Sequence, residues 1–199
     1  MEKIKSFSSS ADAIASLDNG GRFYNIFTHA HDNVINQAEA GRSAGGFAGK
    51  QRAILFLELA TSKLDEQSAS EVISKFDETL KANFTKYKSQ VLLPSEVEAK
   101  GTLGSNLIVT GVPKLTDKTK TLSGFIMVPT GSAFTMIPLV DVYDIYEIRD
   151  EAGSFLIAHQ KGEEQLPEVQ VTVGGVLKES DPEEGKPAGK FLEVEYWLE

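Results

Sequence analysis

Two of the three histidines in this 199-residue chain are His29 and His31, and Asp32 and Glu39 follow them. Side chains alternate along an extended segment, so His29-x-His31 can set two imidazoles on one side. With Asp32 they form a candidate metal-dependent hydrolase cluster, because neutral imidazole and carboxylate are common ligands of catalytic zinc. Such zinc usually takes three protein ligands, and the remaining imidazole, His159, lies far along the chain in a strand-like stretch. Other catalytic chemistry is poorly served. The chain has no cysteine, which removes thiolate metal sites, disulfides and thiol nucleophiles together. Gly41-Arg42-Ser43-Ala44-Gly45 spells Gly-x-Ser-x-Gly, but no strand leads into it as a nucleophile elbow requires. The run from Gly41 to Lys50 ends in Gly-Lys but is followed by Gln51, and no strand precedes it to deliver a phosphate loop. No cofactor is expected, and no catalytic residue is assigned.

The elements around the histidines suggest a second chemistry. Phe23, Ile26 and Phe27 give an apolar entering helix, and Asn36-x-x-Glu39 is a capping-box start for the next. The segment Thr28 to Glu39 resembles the calcium loop of an EF-hand. On that resemblance Asp32 takes the fifth position and Glu39 the twelfth, where the family places its bidentate ligand. Ile35 takes the eighth, which pairs with a partner loop. Thr28 and Ala30 stand where acidic ligands are expected, and Asn33 replaces the turn glycine, a position asparagine tolerates. The segment Leu64 to Phe76 is the candidate mate, with Asp65 opening it and Phe76 in place of the glutamate. The resemblance implies a paired EF-hand-like helical fold and a weak calcium response through Asp32 and Glu39, with His29 and His31 as loop residues or caps.

The wider pattern is α+β. Residues 1–90 read as a helical domain. Ser8-Ser9-Ser10 caps a helix that stops at Asn19-Gly20-Gly21. Further helices are expected over 22–27, from Asn36, and over 50–64. One more opens at Ser68-x-x-Glu71, with Val72, Ile73, Phe76, Leu80, Phe84 and Tyr87 recurring at three- and four-residue steps. Beyond Gln90 the texture becomes β-branched and aromatic between turn residues. Strands are expected over 97–103, 107–112, 122–128, 134–148, 154–159, 169–177 and 191–197, giving residues 91–199 as an antiparallel β domain, sheet or small barrel. Asp150-Glu151-Ala152-Gly153 reads as a hairpin turn. The stretch Val169-Gln170-Val171-Thr172-Val173-Gly174-Gly175-Val176-Leu177, with Phe191 to Tyr196, resembles the closing hairpin of OB-type barrels, where glycine lets a strand bend sharply.

Charge narrows the partners. Residues 1–90 carry 11 acidic and 11 basic side chains, while residues 91–199 carry 18 and 9, which places the net −9 in the strand half. Nucleic-acid binding rests on cations that displace phosphate counterions, so no nucleic acid is expected. No apolar run is long enough to span a bilayer, and the charged, serine-rich start lacks a signal-peptide core, so no membrane insertion and a cytoplasmic location are expected. The reading that results is a non-enzymatic binding or scaffold protein whose acidic β domain meets a protein or small ligand.

Overall fold

The computed structural model describes residues 2–18, 31–45, 48–130, 133–160, 165–179 and 189–199, with side chains described outside 117–142. The chain is α+β. The elements run β1 (Glu2–Lys3), α1 (Ser10–Leu17), α2 (Gln37–Ser43), α3 (Lys50–Thr61), α4 (Glu66–Ser74), α5 (Glu78–Lys86), β2 (Gln90–Leu92), a 3₁₀ turn (Pro94–Glu96) and α6 (Val97–Lys100). Then come β3 (Asn106–Thr130), β4 (Ala133–Arg149), β5 (Ser154–Gln160), β6 (Val171–Glu179) and β7 (Lys190–Leu198).

Short polar side chains start the helices by accepting otherwise orphaned backbone N–H groups. The Ser9 hydroxyl accepts from Asp12 N at 3.1 Å to open α1. Asn36 and Glu39 form a full capping box on α2. Asp65 accepts from Ser68 N at 2.8 Å to open α4, and Asp77 accepts from Leu80 N at 2.6 Å to open α5.

These caps overturn two expectations. The segment Leu64 to Phe76 is no second calcium loop, because the Asp65 cap commits Glu66–Ser74 to helix. Nor do Val72 to Tyr87 form one helix. Ile35 N donates to Lys75 O at 2.8 Å and Asp77 N donates to Ile35 O at 2.9 Å, so a bridge from the distant α1–α2 connection occupies the Lys75–Asp77 backbone. Ile35 does find a partner, but it is Phe76, in parallel register, beyond α4. The helix expected over 22–27 lies outside the described residues.

The strand half differs from expectation at its start. Residues 97–103 hold α6, entered through the 3₁₀ turn with Pro94 at its first position and supported by the Lys100–Glu96 ion pair at 2.6 Å. Proline suits that first position, since its missing N–H would be unpaired there anyway. The stretches 107–112 and 122–128 are parts of one continuous strand, β3. Asp150 to Gly153 makes the expected turn, with Asp150 N donating to Gly153 O at 3.0 Å.

The sheet closes on itself. β3 pairs with β4, β4 with β5, β5 with β7, β7 with β6, and β6 returns to β3. That five-strand circuit makes an OB-like β region, since the OB barrel is five-stranded and Greek-key. The β5–β7 pair is parallel, as are the additions of β1 to β7 and β2 to β3, so the sheet is mixed rather than purely antiparallel. The physical reason is the closure: round the circuit from β5 through β4, β3 and β6 to β7 there are four antiparallel steps, an even number, so β7 meets β5 in parallel. Between Gly174 and Gly175 the register shifts, leaving Glu195 as the extra residue, so the bulge belongs to β7, opposite the glycines.

Three buried clusters follow among the described residues, two of them large. Inside the barrel lie Leu107, Val109, Tyr146, Ile148, Ile157, Val173, Leu192 and Trp197, among others. The helices gather Leu17, Ile35, Ile54, Leu55, Leu57, Leu59, Val72 and Leu80, and this cluster includes Ile108, Tyr196 and Leu198 of the sheet. Helix α3 is the shared element. A Cβ on Gly174 would stand 2.6 Å from Leu59 Cδ1 and 2.9 Å from Leu55 Cδ1, so the bare glycine is what lets α3 lie close against β6.

Candidate functional site

The imidazole loop is built as a structural turn. Asp18, at the end of α1, accepts from His31 N through Oδ1 at 2.8 Å and from Asn33 N through Oδ2 at 2.7 Å. Both His31 and Asn33 sit at φ 65°, the left-handed region, held there by this carboxylate. His31 and Asp32 are exposed, and Asp32 Oδ1 accepts from Val34 N at 2.9 Å, which closes a local turn. His29 lies outside the described residues. His159 is fully buried in β5, opposite Asp144 and edge-on to Tyr146 with ring centroids 6.2 Å apart. Among the described residues no three His, Asp or Glu side chains converge to hold a metal ion.

Glu39 is 1% exposed. One carboxylate oxygen accepts from Asn36 N at 3.0 Å, and the other, Oε1, is buried with no hydrogen-bond partner among the described residues. Burial raises its pKa above the usual carboxylate range; the Asn36 N–H opposes this, the fields of Asp18 and Asp32 add to it, and Arg42 opposes it. Of the sequence candidates, Asp32 and Glu39 thus lie near enough to feel one another, but each is occupied in its own backbone turn or cap.

A second polar group joins helices to barrel. The Tyr196 hydroxyl accepts from Arg52 Nε at 2.9 Å and donates to Ala44 O. Arg52 also pairs with Glu195 at 3.2 Å. Burial, only partly offset by Arg52, pushes the Tyr196 hydroxyl up to about 12, so it stays protonated as a donor. Its role is to tie β7 to α2 and α3.

The least expected feature is the reach of β3 and β4. β3 pairs with β6 only as far as Gly111, and β4 pairs with β5 only from Tyr143 onward. From Thr119 to Thr130 and from Ala133 to Val142 the two strands pair with each other and, among the described residues, with no other strand. At a strand rise of about 3.4 Å per residue this arm carries roughly 40 Å of chain on its β3 side. It departs at a bulge between Leu115 and Thr119, where β3 has two more residues than β4. Thr116 Oγ1 donates to Ile145 O at 2.8 Å inside that bulge. Bulges bend and twist a ladder locally, which fits the point where the arm leaves the barrel. Its root is fixed: Tyr143, Ile145, Ala158 and Phe191 are buried together, the Tyr143 hydroxyl donates to Glu193 Oε1 at 2.6 Å, and Lys178 pairs with the same carboxylate.

The arm's composition is unusual for an open ladder. The twenty residues from Thr121 to Val140 carry no charge, and they include two of the three methionines, Met127 and Met136. Odd and even positions are both rich in large apolar residues, so no polar face is written into the alternation. Cross-strand partners include Ile126 with Ile137 and Met127 with Met136. From sequence the stretch reads only as two ordinary strands, 122–128 and 134–148. The signal that could have found it is the length of the 134–148 run, which needs a partner strand of equal length, together with the gap in charge.

No protein-family model and no curated protein matches the sequence. Among solved structures, the chain is similar to the N-terminal domain of an archaeal MCM, at 12% identity over 82% of this chain and 84% of that chain, with a TM-score of 0.38.

Proposed function

We propose that this chain is a non-enzymatic binding protein that works through the β3–β4 arm, with the OB-like barrel and its helices as the scaffold that holds the arm. The observation that carries this reading is the pairing pattern: both outer edges of an uncharged two-stranded ladder are left without a strand among the described residues. Unpaired edge N–H and C=O groups are a ready template for another strand, and soluble proteins normally guard them with charge. Here the guard is absent along twenty residues. The acidic excess of residues 91–199 and the lack of any cation from Thr121 to Val140 favour a protein over a nucleic acid.

The test is a photo-cross-linking residue placed at Phe125 or Phe134, with Leu156 on the barrel surface as control, in the cell of origin. Protein adducts from the arm positions and none from the control are expected. Adducts confined to the control, or none at all from the arm, would refute the reading.

A calcium response through Asp32 and Glu39 is a second reading, favoured by the buried Glu39 Oε1, which has no hydrogen-bond partner among the described residues, beside the fields of Asp18 and Asp32. Calorimetric calcium titration of the protein and of Glu39→Gln tests it: heat that the substitution abolishes supports it, and no heat with the unsubstituted protein removes it.

A further inference from the structure

Away from the arm, a cavity of about 490 Å³ is lined by residues 3–8, by Lys63 just past α3, and by the end of β7 at Leu198 and Glu199. The 3–8 segment is tied at both ends. Ile4 N donates to Trp197 O at 2.9 Å, and Phe7 N donates to Ala60 O at 2.7 Å. Lys3, Lys5 and Lys63 line this space, and among the described residues Glu199 is its one acidic member. Lys3 Nζ pairs with Glu199 Oε1 at 2.6 Å, and Lys63 Nζ donates to Glu199 O at 2.6 Å. Two ammonium groups thus converge on the oxygens of one residue. Lys5 is exposed and makes no ion pair among the described residues. Ser6 Oγ is buried with no hydrogen-bond partner among them, although buried hydroxyls are nearly always bonded. A cation and a hydroxyl therefore stand uncommitted in a space where two other cations already hold a carboxyl-bearing residue.

We propose that this cavity binds a small organic phosphate monoester, its phosphate held by Lys3, Lys5 and Lys63 in place of the Glu199 carboxylate.

Three observations select that ligand class. The first is charge. Three lysines against one glutamate leave a lining charge of +2, which a phosphate monoester, at about −2 near neutral pH, balances and a single carboxylate does not. The second is shape. Planar carboxylates are met best by the arginine fork, whereas lysine meets a tetrahedral phosphate as a point charge; no arginine lines the cavity among the described residues. The third is the remaining lining. Ile4 and Leu198 are buried and Phe7 is half-buried, so an apolar body has a surface to lie on, in a volume within the roughly 300–1,000 Å³ range of small-molecule sites. Ser8 also lines the space, but its N and Oγ already donate to Asp12 Oδ2 at 3.1 Å each, so it is committed to the start of α1. Lys3 Nζ lies 4.5 Å from the centroid of the Trp197 ring, which makes the chain's one tryptophan a reporter of the site. The cavity shares no residue with the arm, so each reading stands or falls without the other.

Calorimetric titration of the full chain with phenyl phosphate, beside benzoate and inorganic phosphate, reads the outcome, with Trp197 emission as a second signal. Phenyl phosphate should bind at least about tenfold more tightly than benzoate, which has the body without the dianion, and than inorganic phosphate, which has the charge without the body. Lys5→Gln should weaken phenyl phosphate binding about threefold or more. Glu199→Gln, which removes the competing carboxylate, should tighten it by a similar factor. Cooperative urea unfolding checks that each variant is folded, and Lys5, which holds no ion pair, is the safer of the two to change. Absence of heat with phenyl phosphate, equal affinity for benzoate or inorganic phosphate, or unchanged affinity in Lys5→Gln overturns the proposal. So does weaker binding by Glu199→Gln, which would make that side chain a fixed part of the wall rather than the group displaced.

Discussion

Alanine at Gly175 should nearly unfold the barrel, whereas alanine at Gly174 should cost far less. A Cβ on Gly174 meets Leu59 Cδ1 at 2.6 Å, Leu55 Cδ1 at 2.9 Å and Leu55 Cγ at 3.3 Å. These are chiefly the ends of flexible side chains on α3, so the change is overpacking, at about 1–3 kcal/mol. A Cβ on Gly175 would overlap the Glu193 carbonyl oxygen and stand 2.8 Å from its carbon and 3.0 Å from Val194 Cα. All three atoms are backbone of β7, so relief requires that strand to withdraw. Withdrawal opens the ladder around Gly174–Tyr196, Gly175–Val194 and Val176–Glu193. Two or three backbone hydrogen bonds lost in a buried seam, at about 1–3 kcal/mol each when a group is left unpaired, sum to roughly 2–9 kcal/mol. A domain has only about 5–15 kcal/mol to lose. Urea unfolding followed by Trp197, the chain's one tryptophan and 1% exposed, measures both variants. A Gly175→Ala protein no less stable than Gly174→Ala would refute the reasoning, because it would mean the strands are not in contact at the bulge as described.

Other perturbations test other joints. Tyr196→Phe removes the hydroxyl between Arg52 Nε and Ala44 O; a loss of about 1–3 kcal/mol is expected in urea unfolding, with the helical signal in circular dichroism and Trp197 fluorescence falling together. Asp150 accepts from Ser95 N at 2.9 Å, Ser95 Oγ at 2.8 Å, and Ala152 N and Gly153 N at 2.7 Å each. Those bonds, led by the one from Ser95 N, lower its pKa from 3.8 to about 2, so its contribution to stability is present above 3.8 and is lost as pH falls toward about 2. Asp150→Asn should remove that acid-dependent loss from a thermal scan across the same window. Glu39 has the opposite sign. Its folded pKa is raised from 4.5, chiefly by burial, so the folded state holds the proton more tightly and stability declines as pH rises from 4.5 through the folded value. Glu39→Gln, which keeps the acceptor for Asn36 N, should show no such decline in thermal melting against pH.

What the sequence disclosed was local. Ser9, the Asn36–Glu39 box and the Asp150–Gly153 turn each work within a few residues, and their chemistry is written in neighbouring letters. What it hid was set at long range. The single helix expected across 72–87 breaks because Ile35, some forty residues earlier, takes the backbone of Lys75 and Asp77. Residues 97–103 looked strand-like from valine and leucine, but Pro94 and the Glu96–Lys100 pair give them a helical start. The candidate site suffered from the same limit. Histidine spacing drew attention to 29–39, while Asp18, whose carboxylate organises the His31 and Asn33 turn, stands outside that motif. The arm was hidden by its own polar base, Thr116 to Thr121, which reads as a loop until the pairing with β4 is known.

The central claim, that the arm is the part through which this protein binds and the barrel is its support, meets its most direct test in a shortened protein. Joining Lys120 to Tyr143, which lie opposite each other, through an Asn-Gly turn removes the arm beyond them and leaves the root, Tyr143 included, and the barrel strands in place. Sedimentation and cross-linking beside the unsubstituted chain should show a folded barrel, with unchanged Trp197 emission and cooperative unfolding, that has lost association. A shortened protein that still associates as the full chain does would contradict the account.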